Sequence, residues 1–511
     1  MKLTPVIGLE IHVQLKTKSK MFCQCDNSGE YQPANTTVCP VCMGHPGVLP
    51  ITNRQAVEWS VMSAMALNCQ IPKISKFDRK SYFYPDLPKN YQISQFDQPI
   101  GLKGHLEIET KEGKKTIGIT RLHLEEDAAK NFHSPDGKYT LVDYNRSSTP
   151  LMEIVTEPDL RSPQAAKSFM QELRLIMRYL EVSDADMEKG HLRCDANISL
   201  TDQAAEKIDY KKLKPKTEIK NLNSFKAVER ALEYEIIRQT KLWEAGTPPD
   251  RQATRGWDEN KGITEEQRTK EEASDYRYFP EPDLPPLNFE PVAPNAIDIV
   301  KIKDSLIELP AAKRQRFVEE FELSLENAKI LVDDKNLASF FEKTISELRS
   351  WLIALQESQV TEEEIWQKNK VKLAKLTFNW LVNKLLGIAY KDNKDINSCQ
   401  EVTPENFAEF ITIVYQNKIN STLAQKLLEK MCATGKDPSV IMEEDDLTHG
   451  IETNDIPTII DKIIAANPDQ VEQYRKGKTT LIQFFIGQAM KETKGQADPE
   501  QLKELLTNKL K

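Results

Sequence analysis

Four cysteines in the spacing C-x-C-x13-C-x2-C, at Cys23, Cys25, Cys39 and Cys42, constrain the fold of this chain more than any other feature. A structural zinc site takes four thiolates in a tetrahedron and leaves no position open for chemistry. A segment over residues 21–47 that offers four within twenty residues, closed by the knuckle Cys39-Pro40-Val41-Cys42, can therefore be pinned by metal without a core of its own. Reduced thiols falling together by chance is the plain alternative, and two paired spacings weigh against it. Directly before this segment runs Leu9-Glu10-Ile11-His12-Val13-Gln14-Leu15, a strand-like alternation with Glu10, His12 and Gln14 on one face. The zinc would fold the loop, and the strand would hold the chemistry.

A chain of 511 residues suffices for two or three domains with real cores. The opening MKLTPVIGLEIHVQL lacks the basic stretch and apolar run of a signal peptide, and no segment approaches the roughly 20 apolar residues that span a bilayer. The expectation is a soluble cytoplasmic protein with no membrane partner. Eight cysteines, half in metal-ligand spacing, suit a reducing compartment better than a disulfide scaffold. A net charge of -9 advertises no nucleic acid, so any RNA contact must come from local basic patches. The richest is residues 205–226, with Lys207, Lys211, Lys212, Lys214, Lys216, Lys220 and Lys226; a solvated loop explains such a run equally well.

Residues 1 to about 290 alternate apolar and polar positions between turn clusters such as Ser134-Pro135-Asp136-Gly137, which predicts a sheet-rich domain. Its clearest helices are expected over Gln55–Leu67, Pro163–Tyr179 and Ser224–Leu242. Beyond residue 300 amphipathic runs dominate, among them Ala311–Leu323, Leu337–Leu355 and Val371–Leu386, and predict a helical domain. From Thr403 short helical segments over Pro404–Gln416, Ser421–Ala433, Ile456–Asn467, Pro468–Arg475, Thr479–Thr493 and Pro499–Leu510 predict a compact bundle.

Three segments place acids on one strand face. Beside Glu10 and His12, the run Arg121-Leu122-His123-Leu124-Glu125-Glu126-Asp127 puts His123, Glu125 and Asp127 together, and a third aligns Arg193, Asp195, Asn197 and Ser199. If the strands adjoin, they floor a pocket with carboxylates and an imidazole, a donor set that favours Mg²⁺ or Mn²⁺. Each face alone is more often merely solvated. Phosphates also need cations. Lys76, Arg79 and Lys80, beside the aromatics of Tyr82-Phe83-Tyr84, are candidates, with Arg146, Arg255, Arg268 and Lys270 as further ones. No P-loop, kinase glycine loop or G-x-S-x-G elbow is present. Nor is there an amidase setting that would supply ammonia.

The chain resembles the B-subunit (GatB) family of tRNA-dependent amidotransferases from end to end. Carrying the resemblance are Val6-Ile7-Gly8-Leu9-Glu10-Ile11-His12-Val13-Gln14-Leu15, the cysteine cluster running into Gly44-His45-Pro46-Gly47, Lys76-Phe77-Asp78-Arg79-Lys80-Ser81-Tyr82-Phe83-Tyr84-Pro85-Asp86 and Arg121 to Ala128. Leu192-Arg193-Cys194-Asp195-Ala196-Asn197, Lys220-Asn221-Leu222-Asn223-Ser224-Phe225 and the run from Asp275 to Asp283 add to it.

The resemblance implies an α+β fold: a cradle-like catalytic domain of mixed or antiparallel sheet over 1–292, with the zinc-binding insertion 21–47. An all-α helical domain over 293–398 and an all-α YqeY-like, tRNA-gripping tail over 399–511 would follow. It implies ATP- and Mg²⁺-dependent phosphorylation of the side-chain carboxylate of Glu-tRNA(Gln) or Asp-tRNA(Asn). Ammonia released from glutamine by an A subunit, an amidase, then displaces the phosphate, and a small C subunit completes a heterotrimer. Glu10, His12, Glu125 and Asp195 are the expected catalytic and Mg²⁺-binding residues. Lys80 and Tyr82, with Arg79, Lys76 and Arg146, are expected at ATP or substrate, and Cys23, Cys25, Cys39 and Cys42 at structural Zn²⁺. Two alternatives remain: a non-catalytic, zinc-containing tRNA-binding scaffold, and a stand-alone tRNA-modifying ligase.

Overall fold

The computed structural model describes residues 3–269, 276–290, 296–354, 361–391, 401–445, 456–493 and 499–510. They fall into two compact units, Met1–Pro310 and Ala311–Lys511.

The strands of the first unit are β1 (Thr4–Gln14), β2 (Ile74–Ser75), β3 (Asp78–Ser81), β4 (Tyr91–Ser94), β5 (Gly101–Thr110), β6 (Gly113–Glu126), β7 (Lys130–His133), β8 (Thr140–Asp143), β9 (Pro150–Thr156), β10 (Leu192–Thr201), β11 (Thr217–Lys220), β12 (Ala253–Asp258), β13 (Ile263–Thr269), β14 (Phe279–Pro280) and β15 (Leu287–Asn288). Its helices are α1 (Arg54–Ala66), α2 (Pro163–Tyr179), α3 (Phe225–Glu244) and α4 (Ile299–Asp304). Eight strands make one sheet in the order β13-β12-β11-β10-β1-β9-β6-β5. Neighbours run antiparallel except β11 and β12. That parallel pair is joined through α3, the long crossover that parallel strands require. Smaller sheets pair β14-β3-β4, β15-β2 and β7-β8.

Period-two patterning sets which face does what. Leu9, Ile11 and Val13 of β1 and Cys194, Ala196 and Ile198 of β10 join Val57 and Val61 of α1, Phe169 and Leu173 of α2, and Val228 and Leu232 of α3 in one buried core. Each such aliphatic side chain contributes about 1.5–3 kcal/mol by leaving water. The opposite face is left to Glu10, His12 and Gln14, so a slip of one residue would drive Glu10 and His12 into the helix layer. The helices start where the sequence caps them. The Ser162 hydroxyl accepts the Ala165 N–H ahead of α2, Ser224 accepts from Ala227 ahead of α3, and Asn53 accepts from Ala56 ahead of α1.

The second unit is helical: α5 (Pro310–Phe321), α6 (Leu325–Val332), α7 (Lys335–Ala354), α8 (Glu362–Trp380), α9 (Leu386–Lys391), α10 (Pro404–Tyr415), α11 (Ser421–Thr434), α12 (Pro438–Glu444), α13 (Ile456–Ala466), α14 (Pro468–Arg475), α15 (Ile482–Glu492) and α16 (Pro499–Leu510). The helix expected to begin at Val371 begins at Glu362. A capping box between Thr361 and Glu364 and a first turn of Glu362, Glu363 and Glu364 start it on a stretch with little apolar periodicity. A π-helical turn, Leu381–Leu385, carries it into α9. Helix α12, too short for a periodic signal, has no counterpart among the expected segments, and Thr479–Leu481 is a 3₁₀ turn rather than the start of α15. Ile460, Phe485, Leu502 and Leu506 centre a separate core among α13–α16. The expected boundaries at 292/293 and 398/399, and the string Lys494-Gly495-Gln496-Ala497, lie outside the described residues. Among the described residues no helix is long and apolar enough to cross a membrane.

Candidate active site

The sheet register assembles the polar face. His12 of β1 stands opposite Arg193 of β10 on one side and Glu153 of β9 on the other, and Glu153 in turn faces His123 of β6. One row, Arg193-His12-Glu153-His123, thus crosses four strands. Glu10 faces Asp195 beside it. The three acid-bearing strands therefore do share a face, but β6 does not adjoin β1: β9 lies between, and its Glu153 closes the gap.

Glu153 Oε2 is 3.4 Å from His12 Nε2 and 3.3 Å from His123 Nε2. The Glu125 oxygens lie 3.8 and 3.6 Å from the same two nitrogens, and Ser94 of β4 donates to Glu125 at 2.9 Å. Ligating atoms of Glu10, His12 and Glu153 come within 4.8 Å of one another, as do those of His123, Glu125 and Glu153. Burial works against charging His123, yet Glu153 and Glu125 push it up to about 9. His12 is raised for the same reason. Burial also opposes ionisation of Glu153, but the two imidazoles hold it well below the usual carboxylate range. Glu10, by contrast, is raised, first by burial and then by the Glu153 charge. Three acids thus face two imidazoles, and His123 Nδ1 is buried without a hydrogen-bond partner. This oxygen-rich set with one imidazole per group fits a hard divalent cation such as Mg²⁺ or Mn²⁺.

The cluster floors a cavity of about 1060 Å³ that includes Glu10, His12, Glu125, Asp195, Lys80, Tyr82 and Arg146 among its lining. Burial disfavours a charge on Lys80, but Glu125 and Glu153 keep its pKa above the usual lysine range. Its ammonium sits 5.0 and 5.8 Å from the ring centres of Tyr276 and Tyr82, and among the described residues no carboxylate is paired with it. The Asp195 carboxylate is not in the imidazole cluster; it accepts from Lys220 at 2.5 Å.

Among the other expected phosphate cations, Lys76, Arg79, Arg146 and Arg255 are already engaged. Lys76 is paired with Asp78 and Asp97 at 2.6 and 2.7 Å, and Arg79 with Glu281 and Asp283 at 2.7 and 3.2 Å; neither lines the cavity. Arg146 donates to the carbonyls of Ala128 and Ala129 and stands 3.6 Å from Asp127. Arg255 serves the buried Glu235 and the Thr264 carbonyl. Arg268 belongs to the β13 backbone ladder, and Lys270 lies outside the described residues.

The four sulfurs of Cys23, Cys25, Cys39 and Cys42 also lie within 4.8 Å of one another, and Cys39 and Cys42 are 3.9 Å apart. Two sulfurs on a tetrahedral zinc at 2.3 Å stand about 3.8 Å apart, so the site fits. A fully buried Lys20 brings its ammonium within 3.9 Å of Cys42 Sγ.

A mixed sheet whose polar face carries a carboxylate and imidazole cluster on the floor of a cavity, with a lysine on aromatic rings in the same lining, marks this unit as an α+β enzyme domain. Residues 5–293 match the GatB/GatE catalytic domain and residues 362–510 the GatB domain. Similar chains include the aspartyl/glutamyl-tRNA(Asn/Gln) amidotransferase B subunit of Carboxydothermus hydrogenoformans, 43% identical over 99% of this chain and 98% of that one. Those of Dehalococcoides mccartyi (45%, over 99% and 98%) and Thermotoga maritima (44%, over 100% and 98%) are alike. The chain belongs to this family, the B subunits of the tRNA-dependent amidotransferases, which are ligase components. The scaffold alternative is not favoured.

Proposed function

We propose that this chain activates the side-chain carboxylate of glutamate or aspartate mischarged on tRNA(Gln) or tRNA(Asn), using ATP, for amidation to the cognate aminoacyl-tRNA. A carboxylate oxygen attacks the terminal phosphorus of ATP and ADP leaves; ammonia then attacks the acyl carbon and phosphate departs. The observation that carries this reading is the Glu153-centred cluster on the floor of a cavity overlooked by Lys80.

Glu10, His12 and Glu125, with Glu153 shared between them, are the groups that would hold Mg²⁺, which when bound neutralises charge on the transferring phosphoryl. Asp195 acts beside them through Lys220. Lys80 meets phosphate oxygens: it lines the cavity, and among the described residues no carboxylate is paired with its ammonium. Tyr82 orients it. The cavity walls of Tyr276 and Tyr278 keep water from an acyl phosphate that would otherwise hydrolyse. Cys23, Cys25, Cys39 and Cys42 hold structural zinc. The three-part division at 292/293 and 398/399 belongs to the same reading, as do a cytoplasmic setting, an ammonia-supplying A subunit, a small C subunit and a tail on tRNA.

The test is to incubate the purified chain, with and without its A and C partners, with Mg-ATP, ammonium and Glu-tRNA(Gln) or Asp-tRNA(Asn), following the amino acid on the tRNA. Ammonia-dependent amidation that needs ATP is expected. No amidation by the full assembly, with tRNA still bound, would overturn the reading.

A further inference from the structure

Two smaller cavities adjoin the reaction cavity and differ in chemistry. One, of about 780 Å³, shares Asn221 and Asn223 with it and is lined by Asp258, Glu259, Glu265 and Glu266. Four carboxylates make it hostile to a phosphate-bearing ligand. The other, of about 830 Å³, shares Lys80, Tyr82, Lys220 and Tyr276 with the reaction cavity. Against one acid, Asp86, it sets three cations, Lys80, Lys220 and Arg277, of which Arg277 has a contact of its own. Lys220 spends its charge partly on Asp195 and Glu218. Phe83 and Tyr84 form its rim, 72% and 60% exposed. They follow directly on Tyr82, so the chain that brings Tyr82 into the reaction cavity turns its next two rings outward.

We propose that this side cavity receives the terminal adenosine of the acylated tRNA, with Phe83 and Tyr84 as the platform on which its base stacks. The proposal rests on the carboxylate-activating reading given above. Exposed consecutive aromatics beside cations are how proteins take up single-stranded RNA: rings meet the base and cations meet the backbone. Gln267, in the same lining, offers an amide whose donor and acceptor match an adenine edge. The reaction has two substrates that carry adenosine, and the position of the rings chooses between them. A base on the end of a large RNA must arrive from solvent across a rim, whereas a free nucleotide whose phosphates reach the carboxylate cluster needs no platform there. Seated at the rim, the nucleoside leaves its acyl group facing the shared wall of Lys80, Tyr82 and Tyr276, beyond which the cluster lies.

The test compares the assembled amidotransferase carrying wild-type chain, F83A/Y84A or F83W/Y84W. Each is titrated with tRNA(Gln) ending in its 3′ adenosine and with the same tRNA shortened by that nucleotide, and KM for ATP is measured. Wild type should prefer the intact end by about five- to a hundredfold, the range that stacking on an aromatic supplies. F83A/Y84A should lose that preference with KM for ATP within about twofold of wild type, and F83W/Y84W should keep it. An unchanged thermal midpoint for F83A/Y84A separates a lost contact from a lost fold. A preference retained in F83A/Y84A, no preference in wild type, or a loss that falls on ATP instead would each overturn the proposal. Failure of the underlying reading shows differently: the wild-type assembly would then cleave no ATP in response to Glu-tRNA(Gln), whatever its preference for the intact end.

Discussion

Glu153 holds together what the other site residues contribute, since its one carboxylate reaches both imidazoles. Glu153→Gln should lower ATP-dependent amidation by about a hundredfold or more while tRNA binding stays within about twofold. A filter-binding assay beside the amidation assay checks both arms. The residue was not legible in the sequence, because Leu151-Met152-Glu153-Ile154-Val155 is an apolar run with one acid, and only period-two alternation marked the other three strands. Lys76 and Arg79 show the reverse failure. Their motif suggested phosphate contacts, but Lys76 is paired with Asp78 within the motif itself and with Asp97, and Glu281 and Asp283, which pair with Arg79, lie far off in sequence. Asp127 yields a pH prediction. Burial opposes its ionisation, but Arg193 and Arg146 outweigh burial and hold it below the usual carboxylate range. Its contribution to stability is therefore complete above the unfolded value of about 4 and is lost as pH falls through the lower folded value. Asp127→Asn should cost about 1–3 kcal/mol at neutral pH by removing the charged partner of two part-exposed guanidinium groups. In urea titrations the difference from wild type should shrink as pH falls below about 4.

At the scale of elements, the three acid-bearing strands, the start of α2 and the cysteine loop were readable, whereas β9 and the capping box of α8 were not. Serine followed by proline at Ser162-Pro163 and the alternation of β1 are local signals, and they appear where expected. The insertion of β9 between β1 and β6 is a tertiary choice with no local signature. The zinc segment is hydrogen-bonded to its surroundings at many points, so a change in it reaches the rest of the unit: Met21 N donates to the Ser148 carbonyl, Thr37 N to Asn145 Oδ1, and Asn145 Nδ2 to the carbonyls of Gly29 and Pro33. Cys39→Ser should accordingly release the metal and lower the unfolding midpoint by about 5 °C or more, measured by calorimetry with zinc analysis of the same sample. In the second unit Thr361→Ala removes the half of a capping box in which the Thr361 hydroxyl accepts the Glu364 N–H, and should cost about 1 kcal/mol by chemical denaturation.

For the whole molecule, each unit has a core made from its own residues. Residues 311–511 expressed alone should therefore keep their helical signal by circular dichroism, and its loss would argue against that. The central place of β1 has a consequence for how the chain is made. Its Glu10 is paired in register with Val155 on one side and Asp195 on the other. Synthesis from Glu10 to Asp195 takes about 10–40 s at roughly 5–20 residues per second. Until β9 and then β10 are made, β1 lacks its neighbours, and its apolar face of Leu9, Ile11 and Val13 has no complete helix layer to meet. The nascent β1 segment is thus a natural client for a holding chaperone, and the sheet closes around it only when β10 emerges.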